Sequence, residues 1–252
     1  MPVPTQTCAK ILLGAAAALL TGCAQASWTG QGELGLVMAR GNANTESANL
    51  KLNLTSDLGR WKNSGMARVL YGRSNDIQSA ERWEMLWQTE FRLHGQPFIF
   101  GSVRHEEDEF GGFSYQSTAS TGLGYNFIDT TTTRLSASLG AGYRKLQGQL
   151  IVRDPSGEVI ERIEGQTSED AMGKAGLNYR QRLTNNNTLI NNFLVETGTN
   201  NTMATNDLSL QLAMTRKLAL GVGYSVRHNA QPPEGLKETD QLTTVNLVYK
   251  LE

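Results

Sequence analysis

Segment after segment of this chain alternates apolar and polar residues with a period of two. Residues 208–214, LSLQLAM, put Leu208, Leu210, Leu212 and Met214 on one side and Ser209, Gln211 and Ala213 on the other. Residues 218–226, LALGVGYSV, set Leu218, Leu220, Val222, Tyr224 and Val226 against Gly221, Gly223 and Ser225. Residues 48–55 alternate Leu50, Leu52 and Leu54 with Asn49, Lys51 and Asn53. A helix would rotate Leu50 and Leu52 about 200° apart, whereas a strand puts both on one face. Almost nothing from Ser27 onward has helical period. The alternation predicts strands near 28–40, 46–58, 61–73, 80–93, 97–109, 114–127, 132–147, 168–182, 187–198, 205–216, 218–229 and 238–251. Twelve is even, as expected for a bacterial single-chain barrel.

The connections sort into two classes. Those after even strands are short: Gly59-Arg60, His94-Gly95-Gln96, Ile128 to Thr131, Leu183 to Asn186, and Lys217. Those after odd strands are mostly longer: 41–45, 74–79, 110–113, 148–167, 199–204 and 230–237. Short turns on one side and long loops on the other are the asymmetry of an outer-membrane barrel. The longest loop holds IVRDPSGEVIER, where Asp154-Pro155-Ser156-Gly157 has turn chemistry between two β-rich arms and predicts a projecting hairpin. Under this order Trp61, Phe91, Tyr125, Phe127, Tyr179 and Tyr249 fall near the short-turn ends, and Tyr71, Trp83, Tyr143 and Tyr224 near the other. Two aromatic girdles suit a spanning barrel. A soluble β-sandwich, the competing fold, would have no reason to sort its aromatics this way. The expected fold is therefore all-β: a transmembrane up-and-down antiparallel β-barrel of about twelve strands.

The N-terminus reads as an export signal. Residues 11–20, ILLGAAAALL, follow Lys10 and precede a run of small residues, which is too short a stretch for a membrane helix. Two processing readings compete: cleavage after Ala26 at Ala24-Gln25-Ala26, or lipidation of Cys23 in Leu20-Thr21-Gly22-Cys23. On the first reading residues 1–26 are a signal peptide and 27–252 the barrel. The only cysteines, Cys8 and Cys23, lie in this leader, so disulfides and cysteine-rich zinc sites are excluded from the barrel. The net charge of −1 argues against a nucleic-acid partner. The expected surroundings are outer-membrane lipid, lipopolysaccharide and the barrel-insertion machinery, with the chain a monomer.

Several motifs in this order resemble the YdiY-like, salt-induced outer-membrane protein family, whose function is largely unknown. They are Gly35-Leu36 with Gly41-Asn42, then Arg104, Asp108, Phe110 and Gly112 in VRHEEDEFGG. Gly122-Leu123-Gly124-Tyr125, Gly140-Ala141-Gly142-Tyr143 and Asn246-Leu247-Val248-Tyr249 follow. The similarity spans roughly 28–251 and implies an outer-membrane barrel without mappable catalytic residues. One departure is the ending Tyr249-Lys250-Leu251-Glu252, where barrels usually present a terminal aromatic to the insertion machinery.

Enzymatic chemistry is thin. GLGY, GAGY and GVGY lack the helix and third glycine of a phosphate cradle, and read as relief of crowding inside a barrel or as local bending. The run Glu106-Glu107-Asp108-Glu109 offers carboxylates to a hard cation, to solvent, or to cations bridging lipopolysaccharide phosphates. No metal, cofactor or catalytic residue is assigned. His105 and His228 fall near the outer rim with Ser114, Ser117 and Ser225 in the vicinity, and His94 in a short turn. A serine or carboxylate within about 3 Å of either rim histidine is the feature a surface hydrolase would need.

The phase opposite the apolar residues should line the lumen. It carries Lys51, Arg68, Arg92, Arg134, Arg144, Lys174, Arg180, Arg227 and Lys250 against Glu33, Glu84, Glu90, Glu196 and Asp207. This basic bias predicts a lumen that prefers anions if open, or one knitted shut by ion pairs. The acid excess of the chain then belongs on loops and rims. The fifth strand is ambiguous, because Phe98 and Phe100 share a phase with Arg104. Three functional classes follow: a narrow passive pore, a filled structural barrel serving envelope stress, and a surface enzyme or adhesin using the long loops.

Overall fold

The computed structural model describes residues 28–39, 45–75, 77–155, 158–199, 201–232 and 237–251. The leader and Cys23 lie outside the described residues. Among them are twelve strands: β1 (Trp28–Ala39), β2 (Thr45–Leu58), β3 (Trp61–Ser74), β4 (Ile77–Arg92), β5 (Pro97–Asp108) and β6 (Phe113–Asp129). The second half continues with β7 (Thr133–Arg153), β8 (Val159–Arg182), β9 (Asn187–Gly198), β10 (Thr202–Ala213), β11 (Leu218–Asn229) and β12 (Thr239–Leu251). Each strand pairs antiparallel with its sequence neighbours, and β1 closes on β12 with Leu34 opposite Leu247. The closing seam is short, with Gly30 to Leu34 paired against Leu251 to Leu247, and it joins the two end strands of the sheet, as a barrel in lipid requires.

The Gly59-Arg60 turn is closed by Leu58 opposite Trp61, and the β3–β4 connection, expected to be longer, is as short, with Ser74 opposite Ile77. Gly59 has φ +63° at the first turn position, which type II′ hairpins reserve for glycine. The expected 148–167 loop is a continuation of β7 and β8, whose register shifts at Gln147/Gln149 and Val152/Arg153. The β-rich arms keep pairing past the barrel rim until Asp154, where the Glu158 amide donates to the Asp154 carboxylate at 2.8 Å.

Burial runs inside out. Leu139 is 71% exposed, Leu36 65% and Leu123 62%, all on the outer face, whereas Glu106 and Gln116 are 1% exposed on the inner face. A soluble sandwich would reverse that order. Aromatic pairs mark the short-turn rim: Trp61 and Phe91 rings lie 4.8 Å apart, and Tyr125 and Phe127 rings 5.1 Å. The outer surface is thus an apolar band with an aromatic border, suited to lipid.

Candidate functional site

The polar face of every strand converges on the lumen. Glu84, Glu90, Arg144 and Glu196 are buried there. Glu33, Lys51, Arg68, Arg134, Arg180, Asp207 and Lys250 line its main cavity, and Arg227 lines a smaller one near the long loops. Lys174 donates inward to Ser102 at 2.9 Å, and Arg92 holds Asp57 at the short-turn rim at 2.5 Å. The fifth strand resolves in favour of Arg104: Phe98 and Phe100 also point inward and are buried. Sequence reasoning missed Lys62, Arg82, Arg104, Glu106, Asp108, Asp170 and Arg182, all on the inward phase. Lys62 shares the phase of Arg68, and Arg82 that of Glu84, so alternation alone was sufficient to find them. Glu106 and Asp108 correct the expectation that acid would collect on loops and rims. Successive strand residues face opposite ways, so this run splits across the wall instead of forming one acidic cluster.

Toward the long-loop end the lumen is crossed by ion pairs. Arg104 lies 3.5 Å from both Glu84 and Glu106 through Nη1, and its Nη2 reaches across from β5 to Glu196 on β9. Arg227 closes on Glu106 at 2.5 Å. Arg68 on β3 meets Asp207 on β10 at 2.8 Å, and Arg144 meets Asp170 at 3.0 Å. Arg82 lies 3.5 Å from Asp108. Such buried charges persist only when paired.

Below this belt the β5–β7 wall is packed with rings. Phe98 and Phe100 occupy the space left by Gly122, Gly124 and Gly140. A Cβ at Gly122 would lie 2.8 Å from the Phe100 ring and one at Gly140 2.9 Å from it, while one at Gly124 would fall on Phe98. The glycines therefore relieve crowding, as expected. The Lys174 ammonium sits 5.6 Å above the Phe100 ring, adding a cation–π contact.

The opposite wall is open. A cavity of about 790 Å³ is lined by β1, β2, β3, β10, β11 and β12, by the short-turn ends of β7 and β8, and by Arg82 of β4 and Ile190 and Asn192 of β9. Its basic lining comprises Lys51, Lys62, Arg68, Arg82, Arg134, Arg180, Arg182 and Lys250, against only Glu33 and Asp207. Lys62 is satisfied by Glu90 at 3.1 Å. Lys51, Arg180, Arg182 and Lys250 have no carboxylate at ion-pair distance among the described residues. The smaller cavity, about 110 Å³, lies above the belt and includes Arg104, Glu106, Glu196 and Arg227.

The rim histidines face outward. His105 Nδ1 lies 2.7 Å from Ser117 Oγ, and its Nε2 lies 3.4 Å from Glu107 Oε1. His228 Nδ1 contacts Thr239 Oγ1 at 3.0 Å. The serine contact meets the distance set for a nucleophile and base. The Ser117 backbone, however, sits in ladders with β5 and β7, and a paired strand offers no two free amides for an oxyanion. His105 packs beside Trp83, rings 5.0 Å apart, as part of the outer aromatic border. Among the described residues no group of three His, Cys, Asp or Glu side chains is placed to hold a metal ion.

Residues 32–251 match the family described as "Protein of unknown function, DUF481". No curated protein matches the chain. Among solved structures, the COG4313 outer membrane channel from Pseudomonas putida F1 is 10% identical with TM-score 0.50, covering 90% of this chain and 96% of that one. The NanC porin is 12% identical with TM-score 0.48, covering 90% and 100%. The translocator domain of the autotransporter NalP from Neisseria meningitidis is 13% identical with TM-score 0.46, covering 96% and 94%. At 10% identity the likeness to the COG4313 channel speaks to fold alone. A closed barrel with a lipid-suited exterior is an integral protein of the bacterial outer membrane.

Proposed function

We propose, for a chain that belongs to the DUF481 family of proteins of unknown function, a narrow passive pore for small anions. The observation that carries this reading is the cavity of about 790 Å³, whose lining holds eight basic side chains and two acidic ones. Water in that cavity is flanked by a low-dielectric wall, which focuses the field of unneutralised cations and raises the local anion concentration. Passage toward the long loops meets the Arg104–Glu196 belt, where the charges are compensated and the side chains are buried. The cavity then selects by charge and the belt by size. Resemblance to a salt-induced family fits a channel whose selectivity weakens as ionic strength rises. The lipid and lipopolysaccharide of the outer membrane would meet the apolar exterior of a monomer delivered by the insertion machinery.

Planar-bilayer recording under a potassium chloride gradient tests the pore. A reversal potential of the sign expected for chloride supports it, and a cation-selective one overturns it. The ion pairs that cross the lumen favour a second reading, a filled structural barrel. Absence of any conductance from folded protein would leave that reading standing.

A further inference from the structure

Arg134 and Arg180 are register partners on β7 and β8, and both side chains face the lumen. Directly opposed residues on one face hold their Cβ atoms roughly 4.5–5.5 Å apart, where like charges destabilise a sheet. Arg182 stands two residues along β8, on the same face and nearer the mouth. Neutralisation of the three is minimal. Asp129 lies 3.4 Å from Arg134 Nε at the rim, where both side chains are more than half exposed. Arg180 and Arg182 have no carboxylate at ion-pair distance among the described residues. Thr131, Asn178 and Asn192 add uncharged polar groups to the same cavity lining.

The belt satisfies its arginines with acid, whereas this cluster sets three beside water. We propose that the short-turn mouth of the barrel is a binding site for a polyvalent oxyanion of the phosphate class, held by Arg134, Arg180 and Arg182. A guanidinium presents a planar fork that matches two oxygens of such an anion, which a halide cannot exploit. Adjacent like charges, costly when empty, become an asset when a ligand carrying two or more negative charges sits between them. This deepens the pore reading and rests on it for the direction of transport, since the site would load anions at the periplasmic mouth. The binding itself needs no conductance.

The test is calorimetric titration of the detergent-folded barrel with inorganic phosphate, in low and high sodium chloride. Its variants are R180Q/R182Q and, for the same loss of charge outside the lumen, K145Q/R162Q. Heat-modifiable gel migration establishes that each variant is folded. Phosphate should bind the wild type and K145Q/R162Q alike, and R180Q/R182Q roughly tenfold or more weakly. Equal phosphate affinity in all three folded proteins, or no binding to the wild type, overturns the site. Bilayer recordings separate the two claims. Arginine-dependent binding in a barrel that does not conduct keeps the site and removes the pore. Anion-selective current without such binding keeps the pore and removes the site.

Discussion

The wall formed by β4 to β7 and the wall running from β10 round to β3 enclose one lumen and use it in opposite ways. On the first, Phe98 and Phe100 fill space vacated by glycines, and Arg104 is held by Glu84, Glu106 and Glu196. On the second, Lys51 and Lys250 border the cavity of about 790 Å³ with no carboxylate at ion-pair distance among the described residues, as do Arg180 and Arg182 where β8 reaches it. Inward polarity is therefore not one property. Charge buried in the packed section must be matched residue by residue, because burial without a partner is costly. Charge beside water can be left unmatched, and there it acts at a distance on mobile ions.

The largest expected effect comes from breaking the belt. Glu196→Ala leaves Arg104 short of a carboxylate in a buried site and should cost about 3–5 kcal/mol. Arg180→Gln, beside water and next to like charge, should change stability by less than about 0.5 kcal/mol. Urea unfolding in the same micelle measures both, and equal losses would erase the distinction between the walls. Next in size is overpacking. Gly124→Ala drives a methyl into the Phe98 ring and should cost about 1–3 kcal/mol. Ser209→Ala on the cavity side should cost about 0.5 kcal/mol or less, and a reversal of that order would argue that the phenylalanines are loosely held. The smallest effect concerns permeation. Arg180→Gln with Arg182→Gln should lower anion preference while leaving single-channel conductance in concentrated salt nearly unchanged, since screening already suppresses the field there.

The strands were legible because each carries its own alternation: residues 208–214 declare two faces without reference to any neighbour. The lumen charges followed from the same phase, and Glu33, Arg144 and Asp207 lie where it puts them. The fifth strand was not legible, because two rings occupy the polar phase at Phe98 and Phe100. Only the facing glycines on β6 and β7 explain how they fit, and glycine opposite phenylalanine is a relation between strands. The ion pairs were equally hidden. Arg104 and Glu196 are 92 positions apart and meet only because the closed, staggered barrel sets β5 across from β9. Which basic residues remain unmatched depends on that stagger and cannot be counted from composition.

The contrast between the walls is tested most directly by cysteine accessibility. Cys8 and Cys23 both belong to the N-terminal segment, so a barrel beginning at Ser27 has a cysteine-free background. Ser209→Cys places a thiol in the lining of the open cavity, and Ser102→Cys places one in the packed wall, where the serine is 7% exposed. Each is treated in folded protein with a negatively charged and a positively charged methanethiosulfonate reagent of similar size. The thiol at 209 should react rapidly, and faster with the anionic reagent than with the cationic one, while the thiol at 102 stays protected from both. Equal reactivity at the two positions, or faster attack at 209 by the cation, would contradict an open basic wall facing a closed one.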